Sequence, residues 1–179
     1  MLWASASKGS CAPSAAISWL VNGCSATASD GLRNAQYENI YTRFLSGLAE
    51  ILAAAGRLEE GLAVADEALQ RTERNQALWW MPEALRIKGE ILLLADNANA
   101  MTTEDHFRRS LDLAREQEAL SWELRSGLSL ARLWGEQGRI REARDLLTSI
   151  YGRFTEGFET ADLRAAMQLL DDYADGRAC

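Results

Sequence analysis

The chain has 179 residues, of which 47% are hydrophobic and 25% are charged, the balance of a soluble globular protein. Asp and Glu number 26 against 19 Lys and Arg, so the net charge of −7 argues against direct binding to nucleic acid or to an anionic membrane. The single histidine, His106, excludes most histidine-based catalysis and histidine metal clusters.

The cysteines and the hydropathy pattern predict a cytoplasmic protein. Cys11, Cys24 and Cys179 form no C-x-x-C pair and their number is odd, which argues against a disulfide framework or a zinc site. No stretch reaches the roughly 18 apolar residues of a spanning helix. Residues 21–24 loosely resemble a lipoprotein cleavage box, but Lys8 is the only cation before them, so export is the minor alternative.

Composition divides the chain near residue 30. The first 30 residues are rich in Ser, Ala and Gly and carry two charges, Lys8 and Asp30. We expect a poorly ordered or partially helical leader at residues 1–33, with a short helix at residues 15–21 and no need for residues 1–30 in folding. A helical domain is expected at residues 34–175, followed by a tail at 176–179.

From residue 34 onward the chain predicts consecutive amphipathic helices. Apolar residues recur three and four apart over residues 44–55, and Gly56 is expected to end that helix in the left-handed conformation. A second helix follows and reaches about Leu69. Pro82 suits the first turn of a third helix.

The second half of the chain continues the same pattern. Thr102 or Thr103 can cap the fourth helix, and the fifth runs from about Ser121 to its closing Gly138. A sixth helix follows directly, and a seventh begins near Thr160, whose side chain can cap it.

The pattern contains an internal repeat. Gly56-Arg57-Leu58 and Gly138-Arg139-Ile140 both join two amphipathic segments and lie 82 residues apart, which is two periods of 41. Between them, Gly89 matches the small residues Ala49 and Ala131. Periodicity of this kind indicates stacked helix hairpins.

The repeat resembles the tetratricopeptide repeat, with a period of about 41 instead of 34 and no closing proline. Its signature positions hold Leu45, Leu48, Ala49, Leu52, Gly61, Ala65 and Ala68 in the first unit, Leu85, Gly89, Leu92, Phe107 and Ser110 in the second, and Leu130, Ala131, Trp134, Ala143, Leu147 and Ile150 in the third. The resemblance implies an all-α fold, a right-handed α-solenoid of about three tetratricopeptide-like helix hairpins plus a C-terminal capping helix.

A second resemblance covers residues 37 to 174. Residues 85–93, 104–108, 121–125, 129–133 and 154–163 are similar to the C-terminal repeat region of bacterial multidomain regulators. Those proteins carry a winged-helix or adenylate cyclase domain and a predicted ATPase ahead of their repeats. The resemblance implies a detached sensing or protein-interaction module for signal transduction or transcriptional regulation.

The alternatives to a working module are a truncated, functionless remnant of such a regulator and a part of its ATPase or cyclase assembly. The chain has no G-x-x-x-x-G-K-[ST] loop, so we expect no enzyme activity and no cofactor.

Other clusters of reactive residues have ordinary explanations. Asp105 is adjacent to His106 and points about 100° away from it on a helix, so it cannot orient the ring. The carboxylate pairs at 59–60 and 171–172 are not surrounded by the series of oxygen ligands that a calcium-binding loop provides. The run Trp79-Trp80-Met81 could form an aromatic ligand box, although packing between helix pairs is the commoner use of such bulk. We expect no catalytic or metal site.

The first helix of each hairpin is expected to line a concave groove. Its exposed positions, besides Ser46, are predicted to be Arg43, Glu50, Arg86, Glu90, Arg125, Arg132 and Glu136. Because arginine forms paired hydrogen bonds with carboxylates, these residues predict a protein or peptide partner, with an acidic segment or a free C-terminus as a candidate. The alternative is a set of ordinary surface ion pairs, such as Arg86 with Glu90.

Overall fold

The computed structural model describes residues 38–75, 78–95 and 100–176. Within these ranges the chain is all-helical, with seven α-helices and no strand, which confirms the all-α prediction. None of the helices in this part of the chain is both long and apolar enough to cross a membrane. The leader predicted at residues 1–33 and residues 177–179 of the predicted tail lie outside the described residues.

The helices follow the order that the hydrophobic pattern predicts. A single 3₁₀ turn, Leu78–Trp80, precedes the third helix, which has Pro82 in its first turn. The helices are α1 (Glu38–Ala54), α2 (Leu58–Arg74), α3 (Met81–Ala95), α4 (Ala100–Glu116), α5 (Leu120–Glu136), α6 (Ile140–Tyr151) and α7 (Ala161–Ala174).

The turns after α1 and α5 have the same geometry. Gly56 and Gly138 have φ angles of 78° and 76°, as the sequence predicted, because a side chain is strained in this region and glycine is not. In each turn the amide of the next residue donates to the carbonyl oxygen five residues earlier, at 2.9 and 2.8 Å. These bonds satisfy carbonyl groups that the helix end would otherwise leave free.

The arginine that follows each glycine forms the same ion pair. Arg57 donates through Nε and Nη2 to Glu60, at 2.6 and 2.5 Å, and Arg139 donates in the same way to Glu142, at 2.9 and 2.7 Å. The two turns therefore share side-chain chemistry as well as backbone geometry.

The turn after α4 uses a residue that the pattern did not single out. Glu118 has a φ of 53°, and the amide of Ala119 donates to the carbonyl of Ala114 at 2.9 Å. This is the bond made by the two glycine turns. A non-glycine residue here carries backbone strain that the surrounding packing must offset.

The helices pack in two alternating sets. Each helix contacts the next along the chain, and α1 also contacts α3, α3 contacts α5, and α5 contacts α7. The odd-numbered helices therefore lie side by side, and α2, α4 and α6 pack on them. The largest cluster of buried apolar residues is contributed by α4, α5, α6 and α7.

Small residues allow the close approach between helices. Ala49 and Ala131 are fully buried, and at the matching position in α3 a Cβ on Gly89 would lie 2.6 Å from Cε1 of Phe107. The interval of 40 to 42 residues between these positions in the sequence thus corresponds to three sites of tight packing.

Two capping predictions differ from the structure. The fourth helix begins at Ala100, so Thr102 and Thr103 lie inside its first turn, and the buried Oγ1 of Thr103 has no hydrogen-bond partner. Thr160 does occupy the position before α7 in an extended conformation, but its side chain makes no capping bond.

Candidate functional site

The seven residues predicted for the groove differ in exposure. Arg43, Glu50, Arg132 and Glu136 are exposed, and Glu90 and Arg125 are half-buried. The predicted exposure is wrong for Arg86, whose side chain is only 8% exposed. It is also wrong for Ser46, which was expected on the same face and is buried.

Arg86 is buried because carboxylates from two helices surround its guanidinium group. It donates to both oxygens of Glu83 at 2.9 Å, to Glu90 at 2.9 Å and to Glu50 on α1 at 3.2 Å. Burial by itself lowers the pKa of Arg86, but the hydrogen bonds that Arg86 donates to Glu83 and the charges of the three glutamates outweigh burial and raise it. Arg86 therefore stays charged and connects α1 to α3.

Glu83 is the residue of this site that the sequence analysis missed. Its side chain is 3% exposed, and it also pairs with Nη1 of Arg125 on α5 at 2.5 Å. Its spacing of three residues before Arg86 places both side chains on one face of α3, which is the signal that could have identified it. Ser129 of α5 adds a hydrogen bond to Glu90 at 2.6 Å.

Two tryptophans and two arginines form a stacked row beside this ion cluster. The guanidinium of Arg43 lies 5.1 Å from the ring centroid of Trp80, and the rings of Trp80 and Trp122 meet edge to face at 5.2 Å. Arg125 lies over Trp122 at 5.6 Å. The indole N–H of Trp80 donates to Oγ of Ser46 at 3.0 Å, which fixes the ring against α1.

The run from Trp79 to Met81 contributes little to an aromatic ligand box. Trp80 and Met81 are buried, and Trp79 reaches solvent. Trp80 is the member of the run that lines the groove.

The stacked row and the ion cluster border a cavity of about 420 Å³, which we call the polar cleft. Residues of α1, α3 and α5, together with Trp80 of the 3₁₀ turn, line it. Among the described residues, Arg43 has the ring of Trp80 as its only recorded partner and pairs with no carboxylate. The polar cleft therefore presents at its wall one arginine that has no direct ion pair among the described residues.

A second cavity of about 540 Å³, which we call the apolar cleft, continues from the first between α1 and α3. The two cavities share Gly47, Glu50 and Ile87. The apolar cleft is lined otherwise by Ile51, Ala53, Ala54, Glu90, Ile91 and Leu94.

The remaining predicted groove residues lie elsewhere on α5. The charges of Arg132 and Glu136 act on Tyr173 of α7, whose pKa is raised to about 12, chiefly by burial. The Tyr173 hydroxyl donates to the carbonyl of Ala131 at 2.7 Å. The structure therefore gathers Arg43, Glu50, Arg86, Glu90 and Arg125 around the clefts and places the other two near α7.

The described residues contain no group of three or more His, Cys, Asp or Glu side chains that could hold a metal ion. Nδ1 of His106 donates to the carbonyl oxygen of Thr102 at 2.8 Å. This hydrogen bond joins His106 to the backbone of its own helix, α4. It does not bring a second reactive side chain to the imidazole ring.

Comparison with known proteins finds no matching family model, no matching curated protein and no matching solved structure. The function is therefore inferred from the clefts themselves.

Proposed function

We propose that residues 38–176 form a right-handed tetratricopeptide-type solenoid of three hairpins and a capping helix. Its polar cleft binds an extended segment of a partner protein without covalent chemistry. The contacts among α1, α3, α5 and α7 support the stacked arrangement. The matching turns at Gly56 and Gly138 support repeats two periods apart.

The observation that carries the proposal is the state of Arg43. Its guanidinium lies over the ring of Trp80 at the wall of an open cleft, 5.1 Å from the ring centroid, and is paired with no described carboxylate. Stacking on the indole orients the planar group before a ligand arrives. A side-chain or C-terminal carboxylate of the partner can then accept two parallel hydrogen bonds from it.

The ion cluster gives the cleft a rigid floor. Arg125 of α5 pairs with the buried Glu83 of α3, and Arg86 of α3 pairs with Glu50 of α1, so ion pairs connect the three helices. A cleft that is already formed loses less entropy when a partner binds.

The resemblance to the repeat regions of bacterial regulators supports a regulatory, cytoplasmic role. In that setting, binding of an acidic partner segment would report its presence to the rest of the regulatory system. The chain would act by recognition and not as an enzyme.

The test is selection of random displayed peptides of about twelve residues on the purified chain. We expect the selected peptides to share an Asp, a Glu or a free C-terminus. Arg43→Ala is expected to weaken their binding about tenfold, or about 1.4 kcal/mol.

Arg109→Ala is the matched control, because Arg109 is exposed on α4 and has only a long ion pair of 3.8 Å to Glu73. Its affinity should stay within about a factor of two of the native value. Arg125 is unsuitable for the test because its loss removes a partner of the buried Glu83. Selected peptides without a common carboxylate, or binding that Arg43→Ala leaves unchanged, would show that the proposal is wrong.

A further inference from the structure

Helix α1 carries an apolar stripe on the face opposite its buried core residues. The stripe consists of Ile40, Phe44, Gly47, Ile51 and Ala54, which recur three and four residues apart. Ile40 and Ile51 are 53% and 49% exposed. A stripe of this width is what an α-helix normally packs against a neighbouring element.

The stripe belongs to a larger apolar surface. Its C-terminal half forms one wall of the apolar cleft, and Ile87, Ile91 and Leu94 of α3 form the other. The two carboxylates at the edge of this cleft, Glu50 and Glu90, are both paired with Arg86. The cleft therefore favours an uncharged, apolar occupant.

The sequence that precedes α1 contains such a segment. No charged residue occurs between Lys8 and Asp30, and residues 15–21 (Ala-Ala-Ile-Ser-Trp-Leu-Val) are the most apolar part of that stretch. In a helix, Ile17, Leu20 and Val21 would share one face at spacings of three and four.

The connection to α1 is long enough for this segment to reach the whole stripe. Sixteen residues, 22–37, separate it from Glu38, and they can span at most about 55 Å. Helix α1 has 17 residues and is about 25 Å long. A tether of this length holds the segment near the stripe at an effective concentration in the millimolar range.

We propose that residues 15–21 pack on the α1 stripe and into the apolar cleft, as an additional element of the fold. The low charge of residues 1–30, their serine content and their lack of a hydrophobic period predict that they are dispensable. The exposed stripe supplies an apolar surface for this short segment. Residues 15–21 can therefore bury their apolar side chains on α1 without forming a separate hydrophobic core. The contact does not require Arg43, although Ile40, Phe44 and Gly47 of the stripe also line the polar cleft.

The test is amide hydrogen exchange of residues 15–21 in the full-length chain. We expect these amides to exchange at least about tenfold more slowly than in a free peptide of the same sequence. Ile51→Asp, which places a charge in the stripe, is expected to bring them to the rate of the free peptide. Met167→Asp is the control, because Met167 is 45% exposed on α7 and should leave the protection intact.

A second measurement does not require a charge on α1. In a chain whose Cys11, Cys24 and Cys179 are replaced by Ser, Ile51→Cys should react with a thiol reagent about tenfold faster when Leu20→Asp is also present. Exchange of residues 15–21 at the rate of the free peptide, or protection that Ile51→Asp leaves unchanged, would overturn the proposal. A dimer that Ile51→Asp dissociates would also overturn it, because a second copy would then cover the stripe.

Discussion

Replacement of Arg86 by Met tests whether the ion cluster holds α1, α3 and α5 together. Methionine keeps much of the length and apolar bulk of the side chain and removes the guanidinium. The buried carboxylate of Glu83 then loses two hydrogen bonds of 2.9 Å and keeps Arg125 as its remaining recorded cation partner within the described part of the chain.

The expected cost follows from the burial of Glu83. Removing one partner of a buried ion pair costs about 3 to 5 kcal/mol, because a buried charge is left without compensation. Since Arg125 remains, we expect the lower end, about 3 kcal/mol, which corresponds to a fall in Tm of about 6 to 12 °C. Glu50 and Glu90 add little to this cost, because both are partly exposed and water replaces the lost bonds.

The assay is urea unfolding followed by far-ultraviolet circular dichroism. Arg43→Met is the matched control, because Arg43 is exposed and stacks on Trp80, an interaction worth about 0.5 to 1 kcal/mol. In the Arg86→Met variant, Glu83→Gln removes the buried carboxylate that has lost Arg86. It should therefore lower the free energy of unfolding by at least about 1 kcal/mol less than the same substitution does in the native chain. If Arg86→Met costs no more than Arg43→Met, Glu83 does not depend on Arg86 and the reasoning is wrong.

Three further predictions concern the turns, the packing and the pH dependence. Gly138→Ala should lower the free energy of unfolding in urea by about 1 kcal/mol. Backbone strain alone causes this loss, because a Cβ at this position has no neighbour within 4 Å. An unchanged stability would refute this prediction. Gly89→Ala should lower the free energy of unfolding by about 1 to 3 kcal/mol, because the added Cβ would lie 2.6 Å from Cε1 of Phe107. A decrease below about 0.5 kcal/mol would show that the ring moves aside. Burial raises the pKa of Glu104, but hydrogen bonds from Arg108, Trp134 and Arg139 outweigh burial and lower it from 4.5. The stability from Glu104 is therefore present above that pH and is lost as the pH falls through its lower folded pKa. Glu104→Gln should lower the Tm at neutral pH, and its difference from the native chain should shrink in acid; a difference that is constant with pH would contradict this assignment.

The helical architecture was predictable because it depends on local information. The apolar spacing over residues 44–55, the role of Gly56 and the position of Pro82 each involve residues within one or two turns of helix. Conformational preference and the burial of one helix face determine these features without distant partners. Glu118 was not predictable in the same way, because its left-handed turn contradicts the local preference of glutamate. The turn is closed by the hydrogen bond from the amide of Ala119 to the carbonyl of Ala114.

The candidate site could be predicted in part. Arg43, Glu50 and Arg125, which the repeat register predicted for a groove, lie beside the clefts because α1, α3 and α5 lie side by side. It misjudged Arg86, since its burial depends on Glu50, which lies 36 residues earlier in the chain. It also omitted Glu83, whose importance depends on Arg125 of another helix.

The sequence by itself determined the helices, their order and two of their turns, because these depend on hydrophobic period and glycine conformation. The tertiary structure decided which charges are buried, since desolvation and ion pairing are set by atoms that only packing brings together. It also decided that the other described helices leave one face of α1 uncovered, because the exposed fraction of Ile51 depends on which neighbours reach it. The choice between a surface arginine and a buried one is therefore made by the packing of α1, α3 and α5, and not by the residue type.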